Sequence, residues 1–327
     1  MAIKSESEYA IGVDIGGTNT KYGIVNRRGD ILYRGVISTS DYETPEQFLE
    51  ALHKALLPAI DETGGKAAIK GIGVGAPNAN YYTGTVEYAP NLRWKGIVQL
   101  AKMLKEKFDL PAAITNDANA AAVGEMNYGA ARGMKDFIMI TLGTGVGSGI
   151  VANGQLILGH DGFAGELGHV IVIPGGRLHP STGFHGSLES YASATGMCTT
   201  AEEFLKESDE PSLLRNKKEM NSKIIFECAV KGDAIAKKVF EFTGNILGQA
   251  LANFVMFSSP QAIILFGGVT KAGDILMNPV RDSMEKNLLP IFKDKVKLIF
   301  SELKESDAAI LGASALVWEI TDKDKKN

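Results

Sequence analysis

Residues 9–26, YAIGVDIGGTNTKYGIVN, hold two apolar stretches on either side of a Gly-Gly-Thr turn, and an acid, Asp14, stands where the first stretch ends. Apolar residues alternating or clustering between turn signals are the mark of β-strands. The reading is therefore a hairpin, and DILYRGVIS (30–38) extends it to a three-strand meander. The pattern returns in residues 136–154, where DFIMITLG and GSGIVANG flank a second glycine turn, so the chain reads as a weak internal duplication.

Outward from these hairpins, strands and helices alternate, which predicts an α/β fold. Residues 45–61 carry apolar side chains at spacings of three and four, with Pro45 where a first helical turn tolerates proline. KGIGVGAP (70–77) reads as a buried strand, followed by a helix over 96–108, a strand over 112–115 and a helix from Ala118 to about Met126. Further helices are expected over about 188–196, 199–206, 222–230, 234–257, 274–287 and 307–319, with strands at 262–268 and 296–301. The polar, glycine-rich stretch 159–187 is too long for a plain connector and is expected to be functional.

At 327 residues the chain exceeds one ordinary domain, and 45% hydrophobic and 22% charged residues suit a globular protein with a full core. A net charge of −4 offers no bulk attraction to nucleic acid or anionic membrane. No apolar run reaches the length of a membrane span, and the start lacks the order of a secretory signal, so a cytoplasmic location is expected. Cys198 and Cys228 fall in helical segments and read as reduced. The last residues, TDKDKKN, read as a frayed charged tail.

The glycine turns carry the chemistry. In DIGGTNTKYG (14–23), Gly16 and Gly17 let backbone N–H groups approach a phosphate, and Thr18, Asn19 and Lys21 add polar or charged contacts. TLGTGVGSG (141–149) repeats the form through Thr141, Gly143, Thr144 and Gly145, and LFGGVTKAGD (265–274) adds a third turn at Gly267 and Gly268. A Walker motif is missing, and GTGVGSG lies between two strands instead of opening a helix, which excludes a dinucleotide fingerprint.

These turns, in this order and spacing, resemble the superfamily of sugar kinases, hexokinases, actin and the heat-shock ATPases. Within it the chain is similar to the ROK family (repressor, open reading frame, kinase), on TNDANAAA (115–122), AGELGHV (164–170) and GSLESYAS (186–193). The resemblance implies a two-lobed actin-like ATPase fold of the ribonuclease H type, with mixed sheets and a cleft between lobes. The first lobe would span 1–118 and the second 119–327, the last helix packing back on the first. It further implies a hexose kinase using ATP and Mg²⁺, glucose being the leading acceptor and N-acetylglucosamine, N-acetylmannosamine or fructose the alternatives.

Residue by residue, the resemblance makes Asp117 the general base and Asp14 the carboxylate that faces Mg²⁺ through water. It places Asn91, Asn116, Asp117, Glu166, His169 and Glu189 on the hexose, and suggests a homodimer or a dimer of dimers. Local sequence alone reads Asp117 as a helix N-cap and Glu166 with His169 as an i, i+3 pair. The family's zinc-binding pattern CxCGxxGCxE is replaced by PSTGFHGSLE, with Pro180, Thr182 and Ser187 at the cysteine positions, so no zinc site is expected. Pro174, Pro180 and burial of Phe184 are the expected substitutes that brace this loop. Only eight residues precede Tyr9, too few for the DNA-binding domain of the family's repressors; a non-catalytic sugar sensor is the other alternative.

Overall fold

The computed structural model describes residues 8–324. The opening meander forms as read: β1 (Tyr9–Ile15) pairs antiparallel with β2 (Asn19–Asn26), and β2 with β3 (Ile31–Ser38). α1 (Pro45–Glu62) follows, its first turn capped by Thr44 Oγ1, which accepts from the Gln47 N–H at 3.3 Å. β4 (Ile69–Gly75) then lies parallel to β1.

Residues 79–98 hold a small antiparallel sheet that periodicity does not show, made of β5 (Ala79–Asn80), β6 (Thr85–Glu87) and β7 (Ile97–Val98). The helix expected from 96 therefore starts later, as α2 (Leu100–Phe108). β8 (Ala112–Thr115) and α3 (Asp117–Tyr128) complete this part.

The second glycine hairpin is β9 (Phe137–Leu142) with β10 (Val146–Ala152), edged by β11 (Gln155–Leu156). After a long loop come α4 (Glu189–Ala192), α5 (Ala194–Glu207), α6 (Ser222–Val230) and α7 (Ala234–Ser258). β12 (Ala262–Phe266), α8 (Asp274–Asn287), β13 (Lys297–Phe300) and α9 (Glu305–Asp324) close the described chain. Of the expected frayed tail, residues 321–324 are helical and the rest lies outside the described residues.

The duplication is visible in the topology. One sheet runs β3-β2-β1-β4-β8 and the other β11-β10-β9-β12-β13, each with a hairpin on one side and two parallel strands on the other. Both end their parallel strands in the turns singled out above, and the carboxyl ends of parallel strands are where α/β sheets bind ligands.

The chain divides into two compact units. The first holds the described residues up to Gly133, Leu156–Ala164, and the chain from Glu302 onward; the second holds Met134–Gln155 and Gly165–Ser301. The division falls at 133/134 rather than 118/119, because α3 packs on α9: a side chain on Gly124 would stand 2.9 Å from Gly312 Cα. Glycines also admit α9 to the sheet, since a Cβ on Gly12 or Gly73 would overlap the carbonyl oxygen of Ile310 or Ala313. The first unit buries Phe48, Leu52, Leu56, Ile72 and Leu104, and the second Phe137, Leu247, Leu251, Ile263 and Phe240. Among the described residues no helix is long and apolar enough to cross a membrane.

Candidate active site

In the first unit, Asp14, Gly75 and Thr115 are register partners at the carboxyl ends of β1, β4 and β8. Asp117 follows Thr115 at the start of α3. Gly75 marks how near the two acids are, because a Cβ there would lie 3.5 Å from Asp117 Cα and 3.9 Å from Asp14 Oδ1. Burial, then the nearby Asp117, push the Asp14 carboxyl up to about 6, against the pull of Lys21 beside it on β2. Solvent still reaches part of the Asp117 side chain, yet the protein around it desolvates the carboxylate and raises its pKa.

Asn116, not Asp117, is the N-cap of α3: its Oδ1 accepts from the Asn119 N–H at 2.7 Å. Asp117 Oδ1 accepts the adjoining Ala118 N–H at 2.8 Å. Two further polar atoms of this segment, Thr115 Oγ1 and Asn119 Oδ1, are buried without a hydrogen-bond partner among the described residues.

The first glycine turn is closed by a Gly16 N–H to Asn19 carbonyl bond of 3.0 Å, and Thr18 and Asn19 are exposed. Asn91 reaches the same place. Its loop is held by buried Leu92 and Trp94, its own side chain is exposed, and its backbone lies against Gly17.

In the second unit, the Thr141 hydroxyl accepts from the Gly147 N–H at 3.1 Å. Gly143 N–H closes the turn on the Gly145 carbonyl at 3.0 Å, while Thr144 is exposed. β12 lies parallel to β9 with Phe266 opposite Thr141, so Gly267 and Gly268 emerge beside this turn. Gly267 has φ +107°, a conformation that favours glycine, and a Cβ there would meet Leu142.

Glu189, the first residue of α4, spans two elements. Its Oε2 accepts the Val146 N–H at 2.6 Å, and its Oε1 lies 2.7 Å from His179 Nε2. Glu166 and His169 form the local pair that their spacing allows, Oε2 to Nδ1 at 3.1 Å, on a 3-10 turn over Leu167–His169. Ser148 fixes that turn by donating to the Gly165 carbonyl and accepting the Leu167 N–H. The His169 and His179 rings are 6.3 Å apart.

The loop's bracing differs from the expectation. Phe184 is 50% exposed and does not anchor it by burial, while Pro174 and Pro180 lie at the surface, where their part is confined to restricting the backbone. Arg177 anchors the loop, through a set of bonds to α4 and α5. A lone arginine in a polar loop has no sequence signature, and neither it nor the His179 contact was legible before the fold. Zinc chemistry does not fit: Pro180 has no side-chain donor, Thr182 Oγ1 pairs with His179 Nδ1 at 3.1 Å, and Ser187 Oγ pairs with Ser190 Oγ at 2.8 Å. Among the described residues no group of three or more His, Cys, Asp or Glu is placed to hold a metal ion.

Comparison with known proteins gives one family, whose matched members include glucokinases and xylose repressors. The sequence pattern of the ROK family matches residues 10–320. The chain is 37% identical over 315 residues to a glucokinase of Halalkalibacterium halodurans, covering 94% of each chain. It is 33% identical to a glucokinase of Thermotoga maritima, covering 94% of this chain and 97% of that one. Among solved structures, a ROK family glucokinase of Streptomyces griseus in complex with glucose and AMPPNP matches with a TM-score of 0.78 and 32% identity, over 95% of this chain and 99% of that one. The fold is thus that of the actin-like ATPases, and with the family pattern spanning both glycine hairpins, this chain belongs to the ROK family.

Proposed function

We propose that this chain is an ATP-dependent hexose kinase, with glucose as its leading acceptor and glucose 6-phosphate as product. The observation that carries the reading is the pair Asp14 and Asp117 at the carboxyl ends of one sheet, beside the glycine turn at Gly16 and Gly17. Relatives named glucokinase at 33–37% identity support it.

Asp117 takes the proton of the sugar's 6-hydroxyl as that oxygen attacks the γ-phosphorus. A P–O bond forms to the sugar, the bond to the β,γ-bridging oxygen breaks, and ADP leaves. A base must hold its charge at neutral pH yet bind a proton in the transition state, and desolvation moves Asp117 in that direction. The turns at Gly16–Asn19 and Thr141–Gly145, with Lys21, hold phosphates through N–H groups and charge, and Gly267–Gly268 lies at the adenosine end. Asn91, Asn116, Asp117, Glu166, His169 and Glu189 are the hexose contacts, since paired donors and acceptors are what sugar hydroxyls need.

The acidic pair also fits a magnesium ion. Mg²⁺ takes one or two carboxylates and keeps its waters and phosphate oxygens, and Asp14 and Asp117 are mutually repelling carboxylates only partly offset by Lys21. Asp14 would hold the ion through water, and the ion would supply charge neutralisation at the phosphates. A cytoplasmic location and a homodimer or dimer of dimers complete the reading.

An assay coupled to ADP formation, run with a panel of free hexoses and amino sugars, tests it. Glucose-dependent turnover is expected; no turnover with any sugar would overturn the reading, and polyphosphate in place of ATP identifies the donor. Light scattering on the same protein checks the assembly, which a mass of only 34.9 kDa would refute.

A further inference from the structure

Glu189 opens α4, a helix of only four residues. A helix that short has no stability of its own, so the position of Glu189 must be set by tertiary bonds. The chain breaks at Ser193, with φ −76° and ψ 164°. That break redirects one N–H. In a continuous helix Ala194 would donate to the Ser190 carbonyl; here it donates to the Gly143 carbonyl, in the second glycine turn, at 2.8 Å. Thr195 Oγ1 adds a bond to the Thr144 carbonyl at 3.0 Å.

The Ser190 carbonyl is left without its helical partner, and Arg177 supplies one. Its Nη1 donates to Ser190 O and, at 3.1 Å, to Gly196 O, so that it bridges the two sides of the break. Nη2 donates to Thr200 Oγ1 at 3.1 Å, and the Nε and Nη2 fork engages both oxygens of Glu203. The guanidinium lies over Tyr191, 4.6 Å from the ring centre, and the Tyr191 hydroxyl accepts the Arg177 backbone N–H at 2.7 Å. The side chain is 12% exposed. Planar, forked donors make this set possible; a lysine ammonium could not form it.

We infer that Arg177 is a positioning residue for hexose binding: it clamps the break between α4 and α5 and so holds Glu189 against the second glycine turn. The inference rests on the reading of Glu189 as a hexose contact. Arg177 is not one of the proposed hexose or phosphate contacts.

Steady-state kinetics on the full chain, with glucose and ATP varied in turn, test it. Arg177→Lys is expected to raise the glucose KM about tenfold or more, with kcat at saturating glucose and the ATP KM each within about threefold of the parent. A merely structural role would lower the active fraction instead, reducing kcat while the glucose KM stayed unchanged, and that result would overturn the inference. If Arg177→Lys does not fold, Glu203→Gln weakens the same clamp by removing the charge on the fork, and an unmoved glucose KM there is equally fatal. Glu189→Gln separates the two readings. A glucose KM unchanged in Glu189→Gln refutes the hexose contact and the inference with it, whereas a KM raised there but not in Arg177→Lys refutes the clamp alone.

Discussion

The backbone oxygen of Asn91 occupies the space that a side chain on Gly17 would need: an added Cβ would stand 2.6 Å from it. The sequence suggests that Gly17 is small to let a phosphate approach, but in the fold its nearest constraint is the Asn91 loop. Gly17→Ala should therefore disturb both substrates. Overpacking against backbone costs about 1–3 kcal/mol, so both the ATP and the glucose KM should rise roughly five- to hundredfold. Gly143→Ala is the contrast, because nothing lies within 4 Å of its Cβ position. An effect on ATP alone in Gly17→Ala would contradict the coupling.

Asp117→Asn keeps an oxygen for the Ala118 N–H while removing the base. Loss of a general base costs about 10²–10⁴ in rate, and that loss is expected in kcat with glucose binding retained by calorimetry. A variant keeping more than about a tenth of parental kcat would remove Asp117 from this role.

Asp14 gives a pH-dependent stability with a definite sign. Its folded pKa of about 6 lies above the ordinary 3.8, so the folded state binds the proton more tightly. The stability this group contributes is fully present below pH 3.8 and is lost as pH rises through about 6. Asp14→Asn should consequently raise the Tm of the substrate-free protein at pH 7.5, by an amount that shrinks towards pH 4, while abolishing turnover. A Tm difference that grew on acidification would show the assigned burial to be wrong.

Zinc should be dispensable. The hydroxyls of Thr182 and Ser187 are bonded to His179 and Ser190, and among the described residues no group of three or more His, Cys, Asp or Glu is placed to hold a metal ion. Protein purified without a histidine tag should carry far less than one zinc per chain and keep its activity in a zinc-selective chelator with Mg²⁺ in excess. Stoichiometric zinc whose removal stops turnover would refute this.

Gly73 carries a stability prediction. A Cβ there would overlap the Ala313 carbonyl oxygen, backbone against backbone, with no side chain free to swing aside. Gly73→Ala should lower Tm by about 5 °C or more by forcing α9 off the sheet. An unchanged Tm in differential scanning calorimetry would mean that the helix has room to shift.

By itself the sequence determined the hairpins around Gly16 and Gly145, their duplication, and the α/β alternation. Those features rest on local rules: apolar periodicity within a strand, glycine at a tight turn, and a capping residue before a helix. It also brought Asn116 and Asp117 to attention, because TNDANAAA is a contiguous strand–turn–helix segment, although it read Asp117 and not Asn116 as the cap of α3. The short strands of residues 79–98 escaped it, since two or three residues are too few to show a period. The placement of α9 beside Gly12 and Gly73, the Asn91 loop against Gly17, and the Arg177 clamp on α4 were decided only in three dimensions. Each joins residues far apart in the chain through backbone shape and hydrogen-bond direction, and neither is written in the identity of a residue and its neighbours.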